Sequence, residues 1–235
     1  MKPERVFLTA RWENLVIISY KVPNNILEDF MPAGLEPDTL DGSPFVSLVA
    51  FNFLDTKVMR AKVPFNVNFP EINLRFYVKN RGKRGVVFIK EFVPKFFIPF
   101  AANFLYNENY SYARMKSSFK TDDKLRLNHT IQLNNKTYSI NLEAENKPFI
   151  PASDSTEHFF KEHEWGFGKN KCKKTVCYRV EHPVWEVYPV TKFENTFDFE
   201  TLYGKKWKSL NYEKPYNILY AKGSPVKVFS KQLVL

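Results

Sequence analysis

The sequence predicts a β-rich α+β domain whose strands close into a barrel or near-barrel. Aromatic residues make up 17% of the chain, with 23 Phe and 12 Tyr, a composition typical of strands that pack aromatic interiors. Apolar residues alternate with polar ones or form β-branched runs, and few segments have helical periodicity. The 235 residues contain no internal repeat or low-complexity linker, so we expect one domain over residues 1–235.

The N-terminal part of the chain predicts two strands joined by one small helix. Residues 15–22 form an apolar, β-branched run that predicts a central strand, and Pro23 ends it. Asn24 is a candidate cap for a short helix over residues 24–30. Residues 45–53 are apolar on both faces, as in a strand buried on both sides.

The segment 69–78 has the clearest functional pattern. Its period-two alternation puts Glu71, Asn73, Arg75 and Tyr77 on one strand face and apolar side chains on the other. Side chains two residues apart on one face are separated by about 7 Å, so one small ligand can bridge them. Burying such a row without partners is costly, so it either faces water or lines a pocket where Arg75 is held by Glu71 or by a ligand.

The rest of the chain predicts further strands, basic turns and short helices. The turn at 81–85 leads into a hairpin partner at 86–92. Residues 98–106 predict a short helix against the barrel or over its mouth, and residues 156–163 predict a helix capped from the 153–155 segment. The other predicted strands are 115–119, 126–133, 136–145, 174–181, 185–190, 216–221 and 226–229.

The formal net charge is +10, and the excess clusters at 81–84, 169–174 and 205–208. Basic loops near aromatic side chains can bind a phosphate backbone and stack bases. Each cluster, however, lies in a Gly-containing segment that predicts a solvated turn, and no recognition-helix or RNP-like pattern accompanies it. Nucleic acid is therefore a disfavoured partner.

Several other classes of protein are excluded by the motifs. No signal-peptide pattern or membrane-length apolar run is present, so we expect a cytoplasmic protein without a membrane contact. Cys172 and Cys177 predict neither a disulfide framework nor a metal site. His158 and His163 are five residues apart and lack the spacing of a helical metal pair, so we expect no metal. No phosphate loop or dinucleotide fingerprint is found, and we expect no cofactor.

Six stretches in consistent order resemble the YqjF-like bacterial proteins, a family grouped with the acetoacetate decarboxylase-like β-barrel superfamily. The resemblance implies a double-layered, cone-like barrel with a cavity and a few short helices, but no particular reaction. It is carried by WENL at 12–15, MPAGLE at 31–36, DG at 41–42, FPEINLRFYV at 69–78, RGV at 84–86 and HPVW at 182–185.

Acetoacetate decarboxylase forms a Schiff base on a lysine that follows an aromatic residue and a proline. Residues 105–114 are similar to that segment, and the position of the reactive lysine has Glu108. A carboxylate cannot form an imine, so Schiff-base decarboxylation by that route is not expected. Glu108 in a Tyr-rich cavity could instead act as a general acid or base, or could pair with Arg75 or Arg114.

The sequence leaves two hypotheses of function. In the first, the cavity binds a small carboxylate or carbonyl compound, with or without acid-base lyase, isomerase or hydrolase activity. In the second, a non-enzymatic protein binds nucleic acid or an acidic partner through its basic loops. The oligomeric state stays open, with a homo-oligomer as one alternative. The candidate catalytic residues are Glu108, Glu71 and His182, and the candidate ligand-binding residues are Arg75, Asn73, Tyr77, Tyr106 and Arg114.

Overall fold

A computed structural model of the chain describes residues 5–62, 67–94 and 110–234. Its helices are two short α-helices, Thr156–Lys161 and Phe199–Tyr203, and two 3-10 helices, Asn24–Phe30 and Lys205–Asn211. Its strands are β1 Val6–Lys21, β2 Glu36–Pro37, β3 Phe45–Val58, β4 Ala61–Lys62, β5 Phe69–Asn80, β6 Lys83–Val93, β7 Tyr110–Tyr112, β8 Arg114–Thr121, β9 Leu125–Leu133, β10 Lys136–Ala144, β11 Trp165–Lys169, β12 Thr175–Glu181, β13 Val187–Tyr188, β14 Val190–Asn195, β15 Asn217–Phe229 and β16 Gln232–Leu233. The prediction of a β-rich fold with few short helices is confirmed.

The long strands form a closed ring in the order β15, β1, β3, β5, β6, β11 and β12. The ring closes because β12 pairs with β15 through the residue pairs Val180 with Val228 and Glu181 with Lys227. Neighbours in the ring are antiparallel except β6 and β11, which are parallel. A sheet closed into a ring in this way encloses an interior.

A second sheet covers part of the ring from outside. It has the order β14, β10, β9 and β8, and its central hairpin turns at Asn134 and Asn135, both with positive φ. Side chains from its inner face, such as Leu127 and Ile140, share one hydrophobic core with Ile72 and Leu74 of β5. The ring wall is therefore buried on its outer face here, as the predicted double-layered architecture requires.

The ring interior holds a separate hydrophobic core. The helix Thr156–Lys161, which we call the plug helix, contributes Phe159 and Phe160 to it, and both rings lie 5.5 Å from the ring of Tyr77. The plug helix begins as predicted, because the Ser155 hydroxyl accepts a hydrogen bond from the His158 amide at 3.1 Å.

Several predicted elements differ from the observed ones. The basic cluster at 205–208 is not a turn: it lies in the 3-10 helix Lys205–Asn211, and its Trp207 is fully buried in the outer core. The predicted strands at 216–221 and 226–229 are parts of one strand, β15. Gly223 allows the strand to continue, because its φ is positive and a Cβ at this position would lie 2.0 Å from the Trp12 carbonyl oxygen of β1. Pro23, not Asn24, occupies the first cap position. The predicted helix at 98–106 lies outside the described residues.

In the part of the chain that the structure describes, no helix is both long enough and apolar enough to cross a membrane.

Candidate functional site

A cavity of about 70 Å³ lies inside the ring of strands. By comparison with the space that a single water molecule needs, it has room for a handful of non-hydrogen atoms. Its apolar wall comes from the inner core and includes Trp12 and Trp185. Its polar lining consists of Glu71, Asn73, Arg75, Glu91, Tyr110 and Tyr178. The sequence left two alternatives for the polar face of β5, exposure to water or a pocket. In the structure Glu71, Asn73 and Arg75 of this face line a pocket.

A β-bulge brings the second carboxylate into this cavity. Asn73 of β5 pairs directly with Glu91 of β6, whereas Arg75 pairs with Phe88, so β6 has one extra residue at this point. Phe88 and Glu91 are three residues apart and would lie on opposite faces of a regular strand. The extra residue turns both toward the cavity, because a one-residue shift exchanges the two faces of a strand.

Glu71 is 4% exposed, and its Oε1 accepts a hydrogen bond from Asn73 Nδ2 at 2.9 Å. Burial raises the pKa of Glu71 to about 7, and the hydrogen bond from Asn73 and the positive charge of Arg75 oppose this rise. A carboxyl with this pKa exists in both protonation states near neutral pH, which is what a general acid or base requires.

Glu91 is 2% exposed, and its Oε1 accepts a hydrogen bond from the Tyr110 hydroxyl at 2.9 Å. Its Oε2 is buried and has no hydrogen-bond partner among the described residues. Burial and the negative charge of Glu71 raise the pKa of Glu91 well above its usual value. Two neighbouring buried carboxyls do not both ionise readily, so the pair retains a proton at neutral pH.

Arg75 extends from β5 toward the plug helix. Its Nη2 donates to the Phe160 carbonyl oxygen at 3.3 Å, and its Nε is buried without a partner among the described residues. None of the ion pairs within the described residues includes Arg75, so the predicted alternative of a direct salt bridge to Glu71 is not observed. A partly buried guanidinium without a carboxylate partner is well suited to bind an anion.

Tyr178 packs against a glycine of the neighbouring strand. It pairs with Gly166 of β11, and a Cβ at position 166 would lie 2.2 Å from the Tyr178 ring. Burial and the charges of Glu91 and Glu71 raise the pKa of Tyr178 well above its usual value, so its hydroxyl stays protonated. The same holds for Tyr110. Two protonated phenols therefore stand beside the carboxyl pair, and the Tyr110 hydroxyl already donates to Glu91.

The other predicted site residues do not line this cavity. Tyr77 is buried further along β5, where its hydroxyl lies 2.5 Å from Ser47 Oγ and 3.5 Å from the Phe160 carbonyl oxygen. His182 stacks on Trp185 outside the cavity lining, with ring centroids 4.1 Å apart, and its Nδ1 lies 2.9 Å from the Pro183 carbonyl oxygen.

Arg114 is exposed at the start of β8. Tyr106 and Glu108 lie outside the described residues, so their predicted roles stay predictions.

Sequence reasoning missed Glu91, Tyr110 and Tyr178. Glu91 lies in the predicted hairpin partner 86–92, where a regular alternation would put it on the face opposite Phe88, and a bulge leaves no clear signature in a single sequence. The usable signal was a carboxylate in a predicted strand that is otherwise apolar except for Lys90, since a buried carboxylate is rare without a partner. Within the described residues, no group of three or more His, Cys, Asp or Glu side chains is placed to hold a metal ion.

Two of the three basic clusters, 81–84 and 205–208, form local contacts. Lys206 Nζ lies 2.6 Å from Asp29 Oδ2, and Lys208 Nζ lies 3.1 Å from Glu200 Oε2. Lys83 Nζ lies 4.0 Å from the centre of the Trp165 ring, while Arg84 Nε lies 2.6 Å from Asp38 Oδ2. These cations have partners within the fold, which weakens the hypothesis of binding through basic loops.

The fold places the protein in a structural class. Over nearly its full length it superposes on acetoacetate decarboxylase-like enzymes, and the low identities mean that these matches show the fold alone. The chain belongs to the DUF2071 family, whose description is "Uncharacterized conserved protein (COG2071)", and the family model matches residues 9–225.

Three solved structures illustrate the structural match. Acetoacetate decarboxylase from Legionella pneumophila has a TM-score of 0.65 at 12% identity, and the match covers 100% of this chain and 90% of that one. The enduracididine biosynthesis enzyme MppR complexed with pyruvate has a TM-score of 0.66 at 11% identity, with 99% and 91% covered. An acetoacetate decarboxylase-like enzyme from Sphingomonas wittichii RW1 has a TM-score of 0.65 at 10% identity, with 98% and 95% covered.

Among curated proteins, the chain matches the "Uncharacterized protein YqjF" of Bacillus subtilis strain 168. The two are 29% identical over 122 residues. The matched region covers 51% of this chain and about half the length of that relative, 50%. The resemblance to YqjF-like proteins that the sequence motifs indicated is confirmed.

Proposed function

We propose that this protein binds a small organic carboxylate or carbonyl compound in the ring cavity and moves a proton on it with Glu71 and Glu91. One observation carries the proposal: two buried carboxyls and a partly buried guanidinium line one cavity with polar atoms left unpaired. Asn73 Oδ1, Arg75 Nε and Glu91 Oε2 are all buried and have no partner among the described residues. Buried polar atoms are normally paired, so such atoms indicate where a ligand binds.

The unpaired atoms describe the ligand by its chemistry. Arg75 Nε is a donor and requires an oxygen acceptor, such as a carboxylate or carbonyl oxygen. Asn73 Oδ1 is an acceptor and requires an N–H or O–H of the ligand. A small hydroxy acid, or a keto acid in its enol form, carries both groups within a few atoms. That MppR, a protein of similar fold, is described in complex with pyruvate supports this choice of compound class.

The carboxyl pair supplies the chemistry. Near neutral pH the population includes molecules in which Glu71 is ionised and Glu91 is protonated. In these molecules one carboxyl can remove a proton from the ligand while the other donates a proton to a carbonyl oxygen. Arg75 would hold the ligand anion so that the exchanged proton lies near the pair. These roles of the two carboxyls fit lyase, isomerase or hydrolase reactions that pass through an enol or enolate. It needs no imine, in keeping with Glu108 at the position where acetoacetate decarboxylase has its reactive lysine.

The test is a thermal-shift screen of purified protein with pyruvate, acetoacetate, lactate and an aromatic keto acid. A ligand at 100 times its Kd stabilises a protein by about 2.7 kcal/mol, which for this size is roughly 5 to 10 °C. We expect such a shift for at least one compound and its loss in Arg75→Ala. Arg84→Ala is the matched control, since Arg84 also bonds to a plug-helix carbonyl, that of Phe159 at 3.4 Å, but lies outside the cavity lining.

Activity is then tested by following proton exchange. The stabilising compound is incubated in D₂O, and deuterium incorporation beside its carbonyl is measured by NMR. We expect incorporation by the wild-type protein and a loss of at least a hundredfold in Glu71→Gln. If a compound binds but no deuterium is incorporated, the protein binds this compound without moving a proton on it. If no compound shifts the wild type, or if Arg75→Ala retains the full shift, the proposal is wrong.

A further inference from the structure

Two further cavities follow the candidate site in a row, each sharing lining residues with the next. A gap of about 10 Å³ shares Phe88, Glu91 and Tyr178 with the central cavity. A surface groove of about 360 Å³ shares Val176 and Lys231 with this gap. We call it the C-terminal groove; it is lined by Asn170, Lys171, Cys172, Val176, Lys231, Gln232 and Leu233.

The strand pairing explains why the ring opens at this place. β11 pairs with β6 over only three residue pairs, the last of which joins Phe167 to Val87. β6 continues to Val93, and among the described residues its next partner on this side is β7, which begins opposite Glu91. Between these two ladders the wall has no strand pairing in the described part of the chain, and the gap lies there.

Lys231 lies between the groove and the carboxyl pair. It lies in the short link between β15 and β16 and lines both the gap and the groove, whereas Glu91 lines both the gap and the central cavity. Burial lowers the pKa of Lys231 to about 8, and the negative charge of Glu91 opposes this decrease. At neutral pH most Lys231 side chains are still charged, so a cation stands at the narrow point of the passage.

The surroundings of the groove are strongly basic. The hairpin between β11 and β12 has lysines at 169, 171, 173 and 174, and Lys169 lines the gap itself. A cleft lined by charges of one sign concentrates ligands of the opposite sign and speeds their association. The gap as it stands has room for about one water molecule, so a ligand passes only when a flexible side chain moves. Lys231 has such a side chain.

We propose that the C-terminal groove is the entrance through which small carboxylates reach the cavity, and that Lys231 is the cation that admits them. The role of this route in ligand entry rests on the proposed function. The existence of the route can be tested without a bound ligand. With Lys231, the carboxyl pair has a second cation besides Arg75. Lys231 lies on the side of the pair where the passage enters.

The test measures how fast a carboxylate reaches a thiol placed in the cavity. Val180 lines the cavity, and Val180→Cys changes its volume little. The variant is made with Cys172→Ser, which removes the exposed thiol of the groove. Native protein is treated with iodoacetate or with its neutral isostere iodoacetamide, and alkylation at position 180 is followed by peptide mass spectrometry. The ratio of the two rates is divided by the same ratio for the unfolded protein.

We expect the normalised ratio of iodoacetate to iodoacetamide to exceed one and to fall about fivefold in Lys231→Met. Lys231→Arg keeps the charge and should retain most of the preference, and 0.5 M NaCl should reduce it. Lys227→Met is the matched control: this lysine is two residues from the end of β15, is exposed and pairs with Glu181 at 2.6 Å. Leu233→Trp, which fills the groove, should slow both reagents equally.

A ratio that does not change in Lys231→Met overturns the role of Lys231, and rates that do not change in Leu233→Trp overturn the entrance. The failure of every carboxylate in the thermal-shift screen would contradict the proposed function but would leave these alkylation rates as they are. The two proposals therefore fail separately.

Discussion

The two faces of β5 are both buried, yet they are built from opposite chemistry. The outer face carries Ile72, Leu74, Phe76 and Val78, all fully buried in the outer hydrophobic core. The inner face carries Glu71, Asn73, Arg75 and Tyr77. Outer-face burial stabilises the fold through apolar transfer and packing. Burial of the inner face removes charged and amide groups from water, which opposes stability. The comparison indicates that the outer face holds the strand in place, whereas the inner face carries the groups for which we propose ligand binding.

The largest expected effect is on the outer face. Leu74→Ala removes a fully buried side chain from the core between the sheets and should lower the free energy of unfolding by about 3 kcal/mol. Urea denaturation measures the loss. Below the melting temperature the variant should still bind whichever compound stabilises the wild type, because Leu74 does not face the cavity. A loss of binding in the folded variant would break the division between the faces.

The next effect concerns the pH dependence of the inner face. The pKa of Glu71 is raised to about 7 from 4.5, so the folded state holds a proton that the unfolded state releases. Stability is therefore highest below pH 4.5 with respect to this group and is lost as the pH rises to 7, by up to about 3 kcal/mol. Glu71→Gln should flatten this decrease and be more stable than the wild type at pH 8.

Urea denaturation at several pH values between 4.5 and 8 measures this difference. Glu194→Gln on the exposed second sheet is the control, and its curve should follow that of the wild type. If the free energy of unfolding has the same pH dependence in Glu71→Gln and in Glu194→Gln, burial of Glu71 on the inner face does not oppose stability.

The smallest expected effect sharpens the boundary of the site. Tyr77→Phe removes the hydroxyl that lies 2.5 Å from Ser47 Oγ, whose oxygen in turn lies 2.7 Å from Ser19 Oγ. We expect a loss of about 1 kcal/mol in the free energy of unfolding, typical of one buried hydrogen bond. The ligand-induced thermal shift should not change. A shift that disappears with this hydroxyl would extend the site along β5 and restore Tyr77 as a ligand-binding residue.

Much of the candidate site could be predicted from the sequence because it lies on one regular strand. Glu71, Asn73 and Arg75 share a face through the period of two, and that pattern needs no tertiary information. His182 was selected because a histidine at a His-Pro-x-Trp corner follows a predicted strand, and in the structure its ring stacks on Trp185 and does not line the cavity. Trp207 was assigned to a turn because of its lysine neighbours, yet its ring packs 5.6 Å from Phe30 in the outer core.

The sequence by itself determined the strand-rich composition, the polar face of β5 and, through its motifs, the family. Each of these depends on residues close together in the chain, where the alternation of a strand fixes the direction of side chains. Only the tertiary structure decided that the polar face points into a closed ring and that Glu91 stands opposite Asn73. The extra residue in β6 exchanges the faces of that strand, and its position depends on the register between two strands, which local patterns do not encode.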